Sequence, residues 1–185
     1  MRIAICDDET IILDEVSSYI KKYSKQSGKS EIEVFPFNSA SSLLNSIDNG
    51  ALFDIFMLDV YIGDEMGTTL AREIRAREIE SPIIFLTTSV EHAPQGYETG
   101  TLRYLIKPLE PEKFYEAMGA ALLQAEKITK QLIRLKTENG IESINANNIM
   151  YSEAHDHYQY IKLDNGQTIK VRTTVSELYA MLAKN

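Results

Sequence analysis

The sequence predicts an α/β fold, a doubly wound five-stranded parallel sheet followed by a smaller, mostly β segment. Up to residue 125, short apolar runs of strand length alternate with amphipathic helical patterns. After residue 132, apolar and polar residues alternate around two Asn-Gly pairs, which is typical of antiparallel hairpins. We therefore expect a first domain over 1–125, a linker over 126–132 that continues its last helix, and a second domain over 133–185.

The first domain contains five apolar runs that fit buried strands. They are Arg2–Cys6, Ile32–Phe37, Asp54–Leu58, Pro82–Leu86 and Leu102–Ile106. Helical patterns separate and follow these runs, the last two over 91–99 and 111 to about 130. Parallel strands joined by helices need right-handed crossovers, so the helices cover both faces of the sheet. Ligands of such sheets bind beyond the carboxyl ends of the strands.

Polar residues follow four of these runs, at the edge where a ligand is expected. Asp7 and Asp8 follow the first run, Asp59 the third, Thr87 the fourth and Lys107 the fifth. Clustered carboxylates favour a hard cation such as Mg2+. Asp59 could then attack a phosphorus centre and become an aspartyl phosphate, while Lys107 neutralises charge and Thr87 donates a hydrogen bond.

Each of these residues also has an ordinary structural interpretation. Three adjacent acids favour the amino end of a helix, and Glu9 is assigned to that role. By themselves, Thr87 and Lys107 would be a strand-end hydroxyl and a solvated charge before a turn proline. Their coincidence at successive strand ends favours a shared site.

The stretches "CDDE", "MLDVYIGDEMG", "FLTTS" and "YLIKPL" carry a resemblance to a known family. Residues 1 to about 125 resemble the receiver domain of two-component response regulators, which has a flavodoxin-like fold. The resemblance implies that Asp59 is the phosphoacceptor, with Thr87 and Lys107 beside the phosphoryl group. It also implies that Asp8, Asp59 and the backbone carbonyl of Tyr61 bind Mg2+, while Asp7 holds a metal-bound water.

The same resemblance implies structural and switching roles. Gly67 matches the glycine after the phosphoacceptor, and the peptide bond before Pro108 is expected to be cis. Thr87 and Tyr104 would form a switch that responds to phosphorylation, and helix 91–99, strand 102–106 and helix 111 to about 130 would then pair with a second copy. One departure is Gly63, which stands where many receivers have proline.

Composition limits the classes of function. Apolar residues make up 44% and charged residues 25%, and no apolar run is long enough to cross a bilayer. We expect a cytoplasmic protein without membrane contact, in which the single cysteine, Cys6, is a strand packing residue. The net charge of −8 argues against non-specific nucleic-acid binding, but residues 130–185 carry seven basic against six acidic residues.

The second domain has its own motifs. Thr174 and Glu177 predict a capping box at the start of a final helix. The stretch "NIMYSEAHDHYQYIKLDNGQTIKVRTTVSELYAML" resembles the first half of a LytTR-type DNA-binding domain. That resemblance implies that His157 reaches towards bases. Lys162, Lys170 and Arg172 alternate on two strands, where they could meet phosphates or form an ordinary solvated face.

These features predict a phosphorylation-dependent response regulator. Asp59 would accept phosphate from a sensor histidine kinase, and the LytTR-type domain, incomplete in this chain, would regulate transcription on DNA. The protein would catalyse its own Mg2+-dependent phosphorylation and dephosphorylation rather than act as an enzyme on other substrates. An alternative is a phospho-switched adaptor without DNA binding. A phosphohydrolase is less favoured, because Tyr61 stands where such enzymes usually place a general acid.

Overall fold

The computed structural model divides the chain into two compact units. The first unit is Met1–Ala125 and the second is Glu126–Asn185. The structure describes residues 1–27, 32–88, 102–138 and 140–183. No helix in these ranges combines the length and apolarity needed to cross a bilayer.

A parallel five-stranded sheet forms the centre of the first unit. The strands of this unit are β1 (Arg2–Cys6), β2 (Glu33–Phe37), β3 (Ile55–Asp59), β4 (Tyr61–Ile62), β5 (Glu65–Met66), β6 (Ile83–Thr87) and β7 (Arg103–Ile106). The sheet has the order β2-β1-β3-β6-β7, and β4 and β5 form a separate hairpin. The winding therefore reverses between β1 and β3, which confirms the predicted doubly wound fold.

Two strands end one residue later than the sequence predicted. The ladder pairs Asp59 with Leu86, and Thr87 with Ile106. Asp59 and Thr87 are therefore the last residues of β3 and β6 rather than the first residues of the loops. Parallel pairing extends to these polar residues because the neighbouring strand still offers backbone partners.

Within the described ranges, four helices begin in the first unit, and the last of them extends into the second. They are α1 (Thr10–Ser27), α2 (Ala40–Asp48), α3 (Gly67–Ala76) and α4 (Pro111–Gln131). The helix predicted over 91–99 lies outside the described residues. Residues 126–131, predicted as a linker that continues the last helix, belong to α4, and the next strand begins at Leu132.

Two apolar layers cover the two faces of the sheet. Ile3 and Ile5 of β1 belong to one buried cluster, whereas Ala4 and Cys6 belong to the other. Successive side chains of a strand point to opposite faces, so one short apolar run serves both layers. This double burial fixes the register of the sheet and therefore the position of each strand's carboxyl end.

The second unit is a five-stranded antiparallel sheet with one helix. Its elements are β8 (Leu132–Thr137), β9 (Gly140–Asn145), β10 (Ile149–His155), β11 (Tyr158–Leu163), β12 (Thr168–Val171) and α5 (Val175–Leu182), with a 3-10 turn at Ala146–Asn148. The strand order is β10-β11-β12-β8-β9. Thr174 and Glu177 form the predicted capping box. Strand β10 escaped prediction because it lies at an edge, where most of its side chains are exposed and the sequence does not alternate.

Candidate active site at the carboxyl edge of the parallel sheet

Four of the polar residues predicted for the site meet at one edge of the sheet. Asp7 follows β1, Asp59 ends β3, Thr87 ends β6 and Lys107 follows β7. Asp7, Asp59 and Thr87 are buried, and the side chain of Lys107 is only 7% exposed. Because charged groups are rarely buried without a partner, this concentration marks a built site rather than a solvated rim.

Lys107 connects the two buried aspartates. Its Nζ atom donates hydrogen bonds to Oδ2 of Asp59 at 2.7 Å and to Oδ2 of Asp7 at 2.8 Å. Oε1 of Glu9 lies farther away, at 3.8 Å from the same nitrogen. Charge-assisted bonds of this length offset the cost of burying two carboxylates side by side. The ammonium therefore holds together groups that would otherwise repel each other.

Backbone groups orient both carboxylates. The amide of Glu9 donates to Oδ1 of Asp7 at 3.0 Å, and the amide of Tyr61 donates to Oδ1 of Asp59 at 3.3 Å. Each aspartate thus uses one oxygen for a loop amide two residues later and the other oxygen for Lys107. The carboxylates are positioned by the loops before any ligand binds, which is the kind of preorganisation that transfer chemistry requires.

Gly67 lies against the backbone of the candidate nucleophile. Its amide donates to the carbonyl of Val60 at 2.8 Å, and a Cβ atom built at Gly67 would lie only 1.8 Å from the carbonyl oxygen of Asp59. No side chain fits in this space without displacing the backbone. A glycine is therefore required here by close approach of two backbone segments.

The loop after Asp59 forms the hairpin of β4 and β5. Its turn begins at Gly63, which has a φ of +58°. Proline is locked near −65° and cannot adopt that conformation. Gly63, which stands where many receivers have proline, thus occupies a position of the hairpin turn that needs a positive φ.

The position of Lys107 is fixed from its own backbone. Its amide donates to the carbonyl of Thr87 at 2.6 Å, and the Lys107–Pro108 peptide bond is cis. The same segment carries Tyr104, which is half-buried and stacks on Phe85 with ring centroids 5.2 Å apart. Thr87 and Tyr104, the residues predicted to form a switch, thus lie on the adjacent strands β6 and β7.

Burial and charge act in opposite directions on the titratable groups. Burial raises the pKa of Asp7, although Lys107 and the amide of Glu9 both lower it. Burial lowers the pKa of Lys107, but its hydrogen bonds to Asp59 and Asp7 outweigh that effect and raise the pKa above its ordinary value. We conclude that Lys107 is a cation in the folded protein and that a second cation would relieve the crowding of carboxylates.

The acidic group has the donor set of a hard cation site. Carboxylate oxygens of Asp7, Glu9 and Asp59 lie within 4.8 Å of one another. Oxygen ligands of this kind suit Mg2+, which commonly uses a few carboxylates and retains waters. Asp8, predicted as a direct ligand, is exposed and is not a member of this group. Sequence reasoning missed Glu9, whose signal was its place as a third consecutive acid.

Glu9 also has the helical role that the sequence predicted. Its carbonyl accepts hydrogen bonds from the amides of Ile12 and Leu13, so it starts α1.

In the second unit, His157 lies in the two-residue turn between β10 and β11 and is exposed, and the preceding Asp156 has a φ of +52°. His157 therefore stands at the tip of a hairpin, away from the core of its own unit.

Comparisons with known proteins agree with the geometry of the first unit. Residues 3–119 match the family model of the response regulator receiver domain. The solved structure of a CheY-like response regulator receiver domain protein from Methanospirillum hungatei JF-1 is similar, with a TM-score of 0.58 and 26% identity, and the match covers 68% of this chain and 96% of that one.

Two curated relatives match different shares of the chain. The transcriptional regulatory protein CitT of Bacillus subtilis is 31% identical over 98 residues, a match that covers 49% of this chain and 43% of CitT. The sensory transduction protein LytT of Bacillus subtilis is 23% identical over 187 residues, and this match covers 96% of the chain and 75% of LytT. The chain thus spans less than half of one relative and three quarters of the other.

Proposed function

The chain belongs to the response regulator receiver family, and on that premise we propose that it is a phosphorylation-controlled regulator of transcription in a two-component system. A sensor histidine kinase would supply the phosphoryl group, and Asp59 would accept it. The observation that carries the proposal is the buried contact between Lys107 and Asp59, at 2.7 Å, at the carboxyl edge of the sheet. This contact places a fixed positive charge beside Asp59, the carboxylate that ends the central strand β3.

The transfer step balances with residues of this chain. An Oδ atom of Asp59 would attack phosphorus, a P–O bond would form, and the bond from phosphorus to the donor's imidazole nitrogen would break. The electron pair of that bond leaves with the imidazole. Lys107 would then pair with one phosphoryl oxygen, and Thr87 would donate a hydrogen bond to another phosphoryl oxygen. The protein itself would promote this phosphorylation and the later hydrolysis.

We assign Mg2+ to the carboxyl edge of the sheet, beside the acidic group of Asp7, Glu9 and Asp59. Asp8, Asp59 and the carbonyl of Tyr61 would hold it directly and Asp7 through a water, and the position of Glu9 adds a further carboxylate beside them. When bound, Mg2+ neutralises negative charge on the transferred oxygens. The all-oxygen donor set supports this assignment.

The second unit would supply the output. The match to LytT runs through almost the whole chain and therefore includes this unit, and CitT is by name a transcriptional regulatory protein. We assign duplex DNA as the partner of a LytTR-type domain that spans 133–185 in this chain, with His157 at a hairpin tip. We also propose that Thr87 and Tyr104 form the switch that responds to phosphorylation. The phosphorylated chain would then pair with a second copy of itself, and the protein would act in the cytoplasm.

The first experiment is phosphorylation by a small donor. The purified chain is incubated with acetyl phosphate and Mg2+, and its intact mass is measured. We expect one added phosphoryl group in the wild type, none in Asp59→Asn and none in the wild type when EDTA removes the metal. Addition to Asp59→Asn at the wild-type level would contradict the assignment of the nucleophile.

Asp64→Asn is the matched control. Asp64 is an exposed acid in the β4–β5 turn, five residues after Asp59. Its substitution removes the same charge without touching the buried pair, so phosphorylation should proceed as in the wild type. Equal loss of phosphorylation in Asp59→Asn and Asp64→Asn would show that the reaction depends on local negative charge and that Asp59 is not the nucleophile.

A further inference from the structure

The sheet of the second unit has one apolar face and one basic face. Along β11, β12 and the first five residues of β8, buried and more exposed residues alternate strictly. The buried set, which includes Ile133, Ile161 and Val171, forms the core of the unit. The opposite set forms what we call the outer face. Its basic residues are Arg134, Lys136, Lys162, Lys170 and Arg172.

Strand pairing concentrates these charges. Val171 pairs with Thr137 across β12 and β8, and in an antiparallel ladder this register brings Arg172 beside Lys136. Like charges on neighbouring strands destabilise a sheet. Arg172 and Lys136 therefore form a local excess of positive charge that does not stabilise the fold.

Apart from the Arg172–Lys136 pair, the cross-strand neighbours of Arg134, Lys136 and Lys162 are neutral. Arg134 pairs with Ser143, and Lys136 pairs with Ile141. Lys162 lies between Tyr151 on β10 and Thr168 on β12. Within the described residues, no ion pair joins Arg134, Lys136, Lys162 or Arg172 to an acid. These cations are therefore available to a partner outside the chain.

Lys170 is the exception, and it shows how the face is arranged. Its Nζ atom lies 2.7 Å from Oε1 of Glu138 and 4.3 Å from the ring centre of Tyr158. His155 packs edge-on against Tyr160, with ring centroids 5.4 Å apart. Tyr158 and Tyr160 are thus already in contact with protein side chains, which argues against base stacking on these two rings.

Among the outward positions of the five strands of this sheet, Glu153 is the single acid, and Glu138, in the turn after β8, pairs with Lys170. The face therefore has a positive balance in a chain whose net charge is −8. We propose that the outer face of this sheet binds the phosphate backbone of duplex DNA, with Arg134, Lys136, Lys162 and Arg172 as the contacting cations. This inference rests on the proposed function and deepens it, because it assigns a backbone-binding surface distinct from the His157 turn.

Backbone contacts have a specific thermodynamic signature. Each phosphate contact releases condensed counterions, so the logarithm of the binding constant falls with the logarithm of salt concentration by about 0.9 per contact. Such contacts position a protein without reading sequence. Loss of two contacting lysines should therefore reduce the salt slope by about 2, equally on unrelated duplexes.

The test compares two double variants of the full chain that remove the same charge. Lys136→Gln with Lys162→Gln alters the outer face, whereas Lys127→Gln with Lys130→Gln alters exposed positions of α4 in the same unit. Binding to a fluorescent duplex of random sequence is followed by anisotropy between about 50 and 200 mM salt. We expect the outer-face variant to lose about 2 from the slope and the control to keep the wild-type slope.

The other outcomes separate this inference from the proposed function. Equal salt slopes in the two double variants would show that the outer face is not the contact surface, while the proposal that the chain binds DNA would be retained. Absence of duplex binding by the wild type, or tighter binding of a single strand of the same length, would overturn it as well. If Asp59 accepts no phosphoryl group while the salt slopes of DNA binding are as expected, the phosphorylation proposal is wrong and the assignment of the outer face to DNA binding is retained.

Discussion

The ammonium nitrogen of Lys107 lies 2.7 Å from Oδ2 of Asp59, across 48 residues of sequence. The same nitrogen lies 2.8 Å from Asp7, so one cation serves two buried carboxylates. A buried ion pair adds little net stability, but loss of one member leaves an uncompensated charge. The lysine therefore compensates the charge of two buried carboxylates and is also a candidate contact for a phosphoryl group.

Lys107→Met should destabilise the first unit in buffer without Mg2+. Asp7 and Asp59 would remain buried without their cation, and we expect the free energy of unfolding at neutral pH to fall by roughly 3 kcal/mol. The loss should shrink at acidic pH, because burial raises the pKa of Asp7 and protonation of that carboxylate removes the repulsion. Urea unfolding followed by circular dichroism measures both effects.

Addition of Mg2+ should stabilise Lys107→Met more than the wild type, because the ion binds only the folded site and replaces the missing charge. Lys113→Met is the control, since Lys113 is exposed and pairs with Glu110 at the start of α4. Equal stability of the two variants without Mg2+ would show that Lys107 does not hold the carboxylates together.

Gly67→Ala should disturb the candidate nucleophile directly. The added methyl group would lie 1.8 Å from the carbonyl oxygen of Asp59, so the backbone must move. Overpacking of this kind costs roughly 1–3 kcal/mol, and the displaced aspartate should also lose most of its phosphorylation by acetyl phosphate. Urea unfolding and intact mass measure the two losses.

Gly119→Ala is the control for that substitution. Gly119 lies inside α4, and among the described residues outside its own turns of helix a Cβ atom there would meet the Tyr23 hydroxyl alone, at 3.4 Å. Alanine favours a helix interior over glycine by up to about 1 kcal/mol, so stability should be kept or increased. Wild-type behaviour of Gly67→Ala would contradict the close approach.

Cys6 should be unreactive in the folded protein. Burial, together with the neighbouring charge of Asp7, raises the pKa of this thiol from 9.0 to about 12. Iodoacetamide reacts with the thiolate, so alkylation of native protein should stay slow from about pH 7 to 10 and become fast in urea. Ser41→Cys provides an exposed reference thiol on α2. Alkylation of Cys6 at the rate of that reference would contradict the prediction.

The same shift has a consequence for stability. Above pH 9.0 the unfolded thiol releases its proton while the folded thiol keeps it. The folded state then binds more protons than the unfolded state, so the free energy of unfolding should fall as the pH rises from 9.0 towards 12. Cys6→Ser should remove this part of the pH dependence.

Thr174→Ala should loosen the helix of the second unit. Its hydroxyl accepts from the amide of Glu177, whose carboxylate accepts from the Thr174 amide in return. Loss of such a cap costs about 1 kcal/mol, which should increase hydrogen exchange in α5 severalfold. Ser176→Ala, at an exposed position of the same helix, should leave exchange nearly unchanged. Equal exchange in the two variants would contradict the role of the cap.

Acid should weaken the same cap. Hydrogen bonds from the backbone and hydroxyl of Thr174, and then from Thr173, lower the pKa of Glu177 below its ordinary 4.5. The stabilisation is therefore present above pH 4.5 and is lost as the pH falls through the lowered value. Exchange in α5 should rise over that range in the wild type and change less in Thr174→Ala.

Much of the fold followed from local patterns. Apolar runs and helical spacing predicted the five parallel strands, because a strand buried on both faces must be apolar throughout. The capping box was equally readable, since both of its residues lie within four positions. The exposed edge strand β10 was not predicted, because partial burial leaves no alternation to detect.

By itself, the sequence determined which residues stand at the strand ends, since strand length and order follow from short-range apolar patterns. Only the tertiary structure decided that Glu9 joins the acidic group, that Gly67 touches the Asp59 carbonyl, and that the basic residues of β8 and β12 share a face. These relationships join residues through folded geometry and register. A pattern along the chain records what each residue is, whereas burial and distance in three dimensions set what its charge can do.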